Sequence, residues 1–198
     1  MDKDNINVVL VEDEEFWQEN IAKYIEKETT DIKVVEIATC KEEMLEIIDR
    51  ETDIDIDVVL MDINLTGANL DGIEMIEILS RRGIKAIALT SINDEDVIIN
   101  SFESGAINYI TKSSIFDIIS SIYDVAQGKS KIHYDASGAL LSKMQEEKKM
   151  RLLTSSEQEV YRLQKKGYSR TKIAEQLFKS VNTVKKQIQS IRKKLNIQ

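Results

Sequence analysis

Over residues 1–128, short apolar runs alternate with amphipathic stretches in a regular order. The runs are Ile6 to Val11, Ile32 to Ile37, Ile56 to Met61, Lys85 to Leu89 and Ile107 to Ile110. Between them lies helical spacing: Trp17, Ile21, Tyr24 and Ile25 fall at i, i+4, i+7 and i+8, which turns one face inward. After the fifth run, Ile115, Ile118, Ile119, Ile122 and Ala126 line one side of a further helix, and Gly128 is its expected stop. Such alternation predicts a doubly wound α/β domain built on a five-stranded parallel sheet, with Trp17 and the isoleucine stripes as core.

Beyond Gly128 the pattern loosens through KSKIHYDASG, and ALLSKMQEEKKMRL then turns helical and heavily charged. Residues 129–149 are therefore expected to be a linker with a connecting helix, separating a domain at 1–128 from one at 150–198. From Leu153 the signals sharpen. Thr154-Ser155-Ser156-Glu157 is a capping box, Gly167 ends that helix, Ser169 caps a second carrying Ile173, Ala174 and Leu177, and a turn at Lys179-Ser180 opens a third. In the third, Val184, Ile188, Ile191 and Leu195 fall at offsets 0, 4, 7 and 11 and make one buried stripe, while Lys185, Lys186, Gln189, Arg192 and Lys193 lie off it. Two short helices joined by a tight turn, the second basic and outward-facing, predict a small all-α helix-turn-helix domain.

Charge sharpens this division. The net −8 conceals 14 Lys and Arg against 3 Glu from Lys148 to Gln198, with no acidic residue after Glu175, whereas residues 1–147 hold 13 against 32. The basic module suits double-stranded DNA, which the acidic domain would repel. No apolar run approaches the length of a membrane span, and MDKDN lacks the layout of a signal peptide, so a cytoplasmic location is expected. Cys40 and His133 are each alone of their kind, which excludes a disulfide framework and argues against a zinc site. A small buried thiol and a surface imidazole are expected.

The chemistry gathers at the strand ends. In a parallel α/β sheet these face one crevice, so Glu12 and Asp13 after the first strand, Asp62 after the third, Thr90 after the fourth and Lys112 past the fifth should converge. Glu12, Asp13 and Asp62 suit Mg²⁺, which prefers oxygen ligands. Asp62 also offers an oxygen nucleophile toward phosphorus, with Lys112 and the Thr90 hydroxyl to meet the charge on the transferred group.

The segments EDE, DVVLMDINL, LTS and GAINYITK resemble the receiver domain of bacterial two-component response regulators, over roughly residues 4–127. The resemblance implies a sheet order 2-1-3-4-5, Asp62 as phosphoacceptor from a sensor histidine kinase, and the Asn64 backbone carbonyl as a further metal ligand. It also implies a switch in which Thr90 swings toward the phosphoryl oxygens and the Tyr109 ring turns into the space vacated. No enzymatic activity is implied beyond the receiver's own phosphoryl transfer and dephosphorylation. Glu12 departs from the family's usual Asp, and the loop INLTGANLDGIE is two residues longer and lacks proline. Residues 150–197 are similar to the LuxR-type helix-turn-helix of the NarL/FixJ subfamily. That likeness implies a recognition helix from Asn182 to Asn196, with Lys185, Lys186 and Gln189 in the groove and Thr183, Ser169, Arg170 and Arg192 on phosphates. A homodimer on paired half-sites is implied as well.

Two other readings remain open at this level. VVLMDINLT and IALTS approximate two motifs of the haloacid dehalogenase phosphatases, although Asn64 stands where a general acid is needed. A receiver that docks or dimerises without phosphorylation, with constitutive DNA binding, would account for Glu12 and the longer loop.

Overall fold

The computed structural model describes residues 5–50, 55–65, 70–129 and 131–197. Five strands, β1 (Ile6–Val11), β2 (Ile32–Ala38), β3 (Val58–Met61), β4 (Ala86–Thr90) and β5 (Asn108–Thr111), form one parallel sheet in the order β2-β1-β3-β4-β5. The helices α1 (Glu15–Glu28), α2 (Lys41–Asp49), α3 (Asp71–Arg81), α4 (Glu95–Glu103) and α5 (Ile118–Ala126) follow the strands in turn. The expected α/β architecture and sheet order are both present. Alternate strand residues feed two apolar layers: Val9, Val11, Val59 and Met61 on one face, Val8, Leu10, Val58 and Leu60 on the other. Trp17 and Tyr24 pack against the second layer, together with Ile21 and Ile25.

Local differences from the expected pattern have physical causes. The helix foreseen from Ile115 opens instead as a 3₁₀ segment, Lys112–Asp117, with a kink at Ser114 before α5 begins at Ile118. Apolar spacings of three and four residues suit both helix types, so periodicity does not separate them. The connecting helix α6 (Tyr134–Arg151) starts five residues before Ala139, because the carbonyl of His133 accepts from the amides of Ala136 and Ser137. The expected lengthening of the loop after Asp62 involves residues 66–69, which lie outside the described residues.

The chain divides into two compact units, Met1–Leu140 and Leu141–Gln198, and the division falls inside α6. The second unit holds α7 (Ser155–Lys165), α8 (Arg170–Gln176) and α9 (Val181–Leu195) around Leu153, Val160, Tyr161, Ile173, Ala174, Val184, Ile188 and Ile191. The capping box forms as expected: the Thr154 hydroxyl accepts from the Glu157 amide, and the Glu157 carboxylate accepts from the Thr154 amide. Ser169 and Ser180 cap α8 and α9. The third helix begins one residue earlier than expected, at Val181, and Asn196 is its left-handed C-cap at φ 52. Among the described residues no helix is long and apolar enough to cross a membrane.

Candidate functional site

Parallel pairing brings the carboxyl ends of β1, β3, β4 and β5 to one edge of the sheet, and the expected polar residues meet there. Glu12, Asp62, Thr90 and Lys112 are buried, and Asp13 is exposed. Carboxylate oxygens of Glu12, Asp13 and Asp62 lie within 4.8 Å of one another. The Lys112 ammonium donates to Asp62 Oδ2 at 2.8 Å and approaches both Glu12 oxygens, at 2.7 and 2.9 Å. It also lies 5.0 Å from the centre of the Trp17 ring. The other Asp62 oxygen accepts from the Asn64 amide at 3.2 Å.

The backbone under Asp62 is held closely. Its amide donates to the Val11 carbonyl at 2.9 Å, and the Gly72 amide donates to the Ile63 carbonyl at 3.1 Å. A Cβ at Gly72 would stand 2.1 Å from the Asp62 carbonyl oxygen. Only glycine permits α3 to approach so near the strand end.

One ammonium serves two buried carboxylates, and the titrations follow from that. Burial pushes Glu12 up to about 7, the Lys112 hydrogen bond opposes this, and the nearby Asp62 charge adds to the rise. Burial alone would lower Lys112, but the hydrogen bonds it donates to both carboxylates, with their charges, outweigh it and hold its affinity for protons above the usual value. Lys112 gains two partners, whereas Glu12 shares one cation with a like charge. The clustered oxygens, one of them from exposed Asp13, fit a hard divalent cation.

Around this pocket, Thr90 Oγ accepts from the Ile92 amide at 3.4 Å, and the Tyr109 hydroxyl donates to the Ile92 carbonyl at 2.8 Å. Tyr109 is fully buried, in one apolar cluster with Ala136 and Ala139 of α6. Burial, followed by the Asp62 charge, pushes the Tyr109 phenol well above its usual range.

His133 is not the surface imidazole expected of a lone histidine. Its side chain is 8% exposed, with its ring nitrogens 3.1 Å from Asp117 and 3.3 Å from Asp135. Cys40 is half-buried and free.

In the second unit, Ser169, Arg170, Asn182, Thr183, Lys185, Lys186, Gln189 and Arg192 are all exposed, opposite or flanking the stripe of Val184, Ile188 and Ile191. One set of polar residues on α9 went unforeseen. Ser190 and Lys194 donate to Glu157 at 2.7 and 2.6 Å, and Gln187 donates to Ser156 at 2.6 Å. Their spacing of three and four residues along one flank was the available signal. Together with the Thr154 amide and hydroxyl, at 2.8 and 3.0 Å, Glu157 has four donors. Led by Lys194, they hold its carboxyl down at about 2.

Residues 8–123 match the response regulator receiver domain family, and residues 151–198 match the family described as bacterial regulatory proteins, luxR family. The transcriptional regulatory protein LiaR of Bacillus subtilis is 31% identical over 199 residues, covering 97% of this chain and 92% of its own. Among solved structures, the RcsB response regulator of Salmonella typhimurium matches with a TM-score of 0.70 at 23% identity, over 98% of this chain and 94% of that one. RcsB of Salmonella enterica serovar Typhimurium, bound to a promoter in the presence of the phosphomimetic BeF₃⁻, matches with a TM-score of 0.64 at 24% identity, over 98% and 93%.

Proposed function

The chain belongs to the response regulators, joining a receiver domain to a luxR-family DNA-binding domain, and we propose that phosphorylation of Asp62 by a sensor histidine kinase controls its binding to double-stranded DNA. The observation that carries this reading is the buried Lys112 ammonium 2.8 Å from Asp62, beside the acidic cluster. An Asp62 oxygen attacks phosphorus, the phosphorus–nitrogen bond of a phosphohistidine breaks, and its electron pair leaves on the imidazole nitrogen. Lys112 then exchanges carboxylate oxygens for phosphoryl oxygens, and the Thr90 hydroxyl donates to a second phosphoryl oxygen. A divalent cation such as Mg²⁺, held by Glu12, Asp13, Asp62 and the Asn64 carbonyl, would offset the negative charge of the incoming group. Exposed, small Ser91 beside Thr90 leaves the acyl phosphate open to water, so the receiver also reverses its own modification.

In the second domain, Lys185, Lys186 and Gln189, with Asn182 beside them, read the major groove, while Ser169, Arg170, Thr183 and Arg192 hold phosphates. Phosphorylation favours a homodimer, which engages paired half-sites. Among solved relatives, RcsB binds a promoter in the presence of BeF₃⁻, which supports the reading. Asn64, beside Asp62, cannot transfer a proton, so a phosphatase reading lacks its general acid.

The decisive experiment measures DNA affinity of the wild type and Asp62→Asn with and without a small acyl-phosphate donor. The wild type should tighten about tenfold, the size of an ordinary coupling free energy, and Asp62→Asn should not respond. Equal, donor-independent affinity in both would reject the proposal. It would favour a constitutive DNA-binding protein, for which Lys112's engagement of both Glu12 oxygens is the supporting observation.

A further inference from the structure

The end of β5 that carries Lys112 is also bonded to the start of α6. Thr111, the last residue of β5, donates its amide and its hydroxyl to Asp135 Oδ2, both at 2.8 Å. Ser114 donates to Asp135 Oδ1 at 3.3 Å and pairs with the Tyr134 hydroxyl at 2.7 Å. Asn108 Oδ1 accepts from the amides of Tyr109 and His133, each at 2.9 Å. His133 in turn accepts at Nδ1 from the Asp135 amide and lies against Asp117. Beneath these bonds Ala136 and Ala139 are buried in the same apolar cluster as Tyr109, Ala106 and Ile98.

This is more than a helix cap. An aspartate at a helix start ordinarily accepts from amides of its own first turn, and here the His133 carbonyl takes that role. Both Asp135 oxygens go instead to β5 and the 3₁₀ segment that follows it. Thr111 and Lys112 are consecutive, and alternation sends their side chains to opposite sides, Lys112 to the carboxylates and Thr111 to Asp135.

We propose that Asp135 is a latch that ties the start of α6 to the Lys112 end of β5, and that a phosphoryl group on Asp62 releases it. The proposal rests on the phosphorylation reading and adds where the signal leaves the pocket. Lys112 moving from Glu12 and Asp62 to phosphoryl oxygens turns the peptide it shares with Thr111. Two short hydrogen bonds to one carboxylate oxygen lose strength steeply when that alignment is lost. By linkage, removing the latch must strengthen occupation of the pocket.

The test uses the full chain with Mg²⁺ and beryllofluoride. Trp17 is the single tryptophan and lies under Lys112, so its fluorescence reports pocket occupancy. Amide exchange over residues 136–140 reports the latch. Beryllofluoride should speed that exchange in the wild type by about tenfold, and Asp135→Ala should exchange fast without it and bind beryllofluoride about fivefold tighter. Thr111→Val, nearly isosteric, should fall between them, which guards against simple misfolding of Asp135→Ala. If Trp17 reports binding while exchange at 136–140 and the affinity of Asp135→Ala both stay unchanged, the latch is overturned and the phosphorylation reading stands. If Trp17 reports no binding by the wild type, that reading fails, and the latch fails with it.

Discussion

Glu12 and Glu157 are the same side chain, buried to 1% and 6% exposure, in two units that treat it in opposite ways. Glu157 meets four donors, one of them an ammonium, and is held down at about 2. Glu12 shares one ammonium with Asp62 and is pushed up to about 7. Burial with enough donors makes a structural clamp, whereas burial with too few leaves a pocket that gains from further positive charge. The first unit keeps its electrostatic deficit at the strand ends. The second satisfies its buried carboxylate with Lys194 among the donors and leaves Lys185 and Lys186 in solvent.

The largest effect should come from removing Lys112, the one cation of the receiver pocket among the described residues. Lys112→Ala leaves two buried carboxylates unpaired and should cost the first unit about 3–5 kcal/mol, read by urea unfolding in metal-free buffer at neutral pH. A loss below about 1 kcal/mol would mean that water enters and the deficit is not real.

Next in size is the clamp. Glu157→Gln should destabilise the second unit by about 2 kcal/mol at pH 7, since it weakens hydrogen bonds to a charged group. The folded value lies below the ordinary 4.5, so this contribution is fully present above pH 4.5 and is lost as pH falls toward 2. Glu12 should behave in the reverse sense. Its folded value is raised, so in metal-free buffer the stability tied to its proton is complete below pH 4.5 and is lost as pH rises through about 7. Thermal unfolding of Glu12→Gln against wild type should therefore diverge across that window, and parallel curves would remove the contrast between the two glutamates.

Smaller effects test the solvent-facing lysines. Lys185→Ala with Lys186→Ala should weaken operator binding about tenfold at physiological salt and relax the preference for operator over unrelated DNA, since both lysines reach base edges. An equal loss on operator and unrelated DNA would take both lysines off the bases and put them on the backbone. Least of all, Ser180→Ala removes the acceptor that caps α9 at the Thr183 amide and should cost about 1 kcal/mol in thermal stability of the second unit.

Much of this was legible along the chain. The run Ile6 to Val11 is β1 without change, and the capping box at Thr154 forms as its residues imply, because both depend on neighbours within a few positions. The run from Ile56 was two residues too generous, since β3 begins at Val58. The setting of His133 is not legible along the chain, because partners decide a lone histidine's burial and Asp117 stands sixteen residues away. The Asp135 bonds to Thr111 escaped for the same reason, at a separation of twenty-four.

Spacing and local chemistry along the chain determined the strands, the helices, their caps and the acidic residues at two strand ends, because periodicity and capping act within one or two turns. The charge that Glu12 carries was decided only by the tertiary structure. Lys112 reaches Glu12 across one hundred residues and Lys194 reaches Glu157 across thirty-seven, and the number of donors that arrive from such distances sets whether a buried carboxyl keeps or sheds its proton.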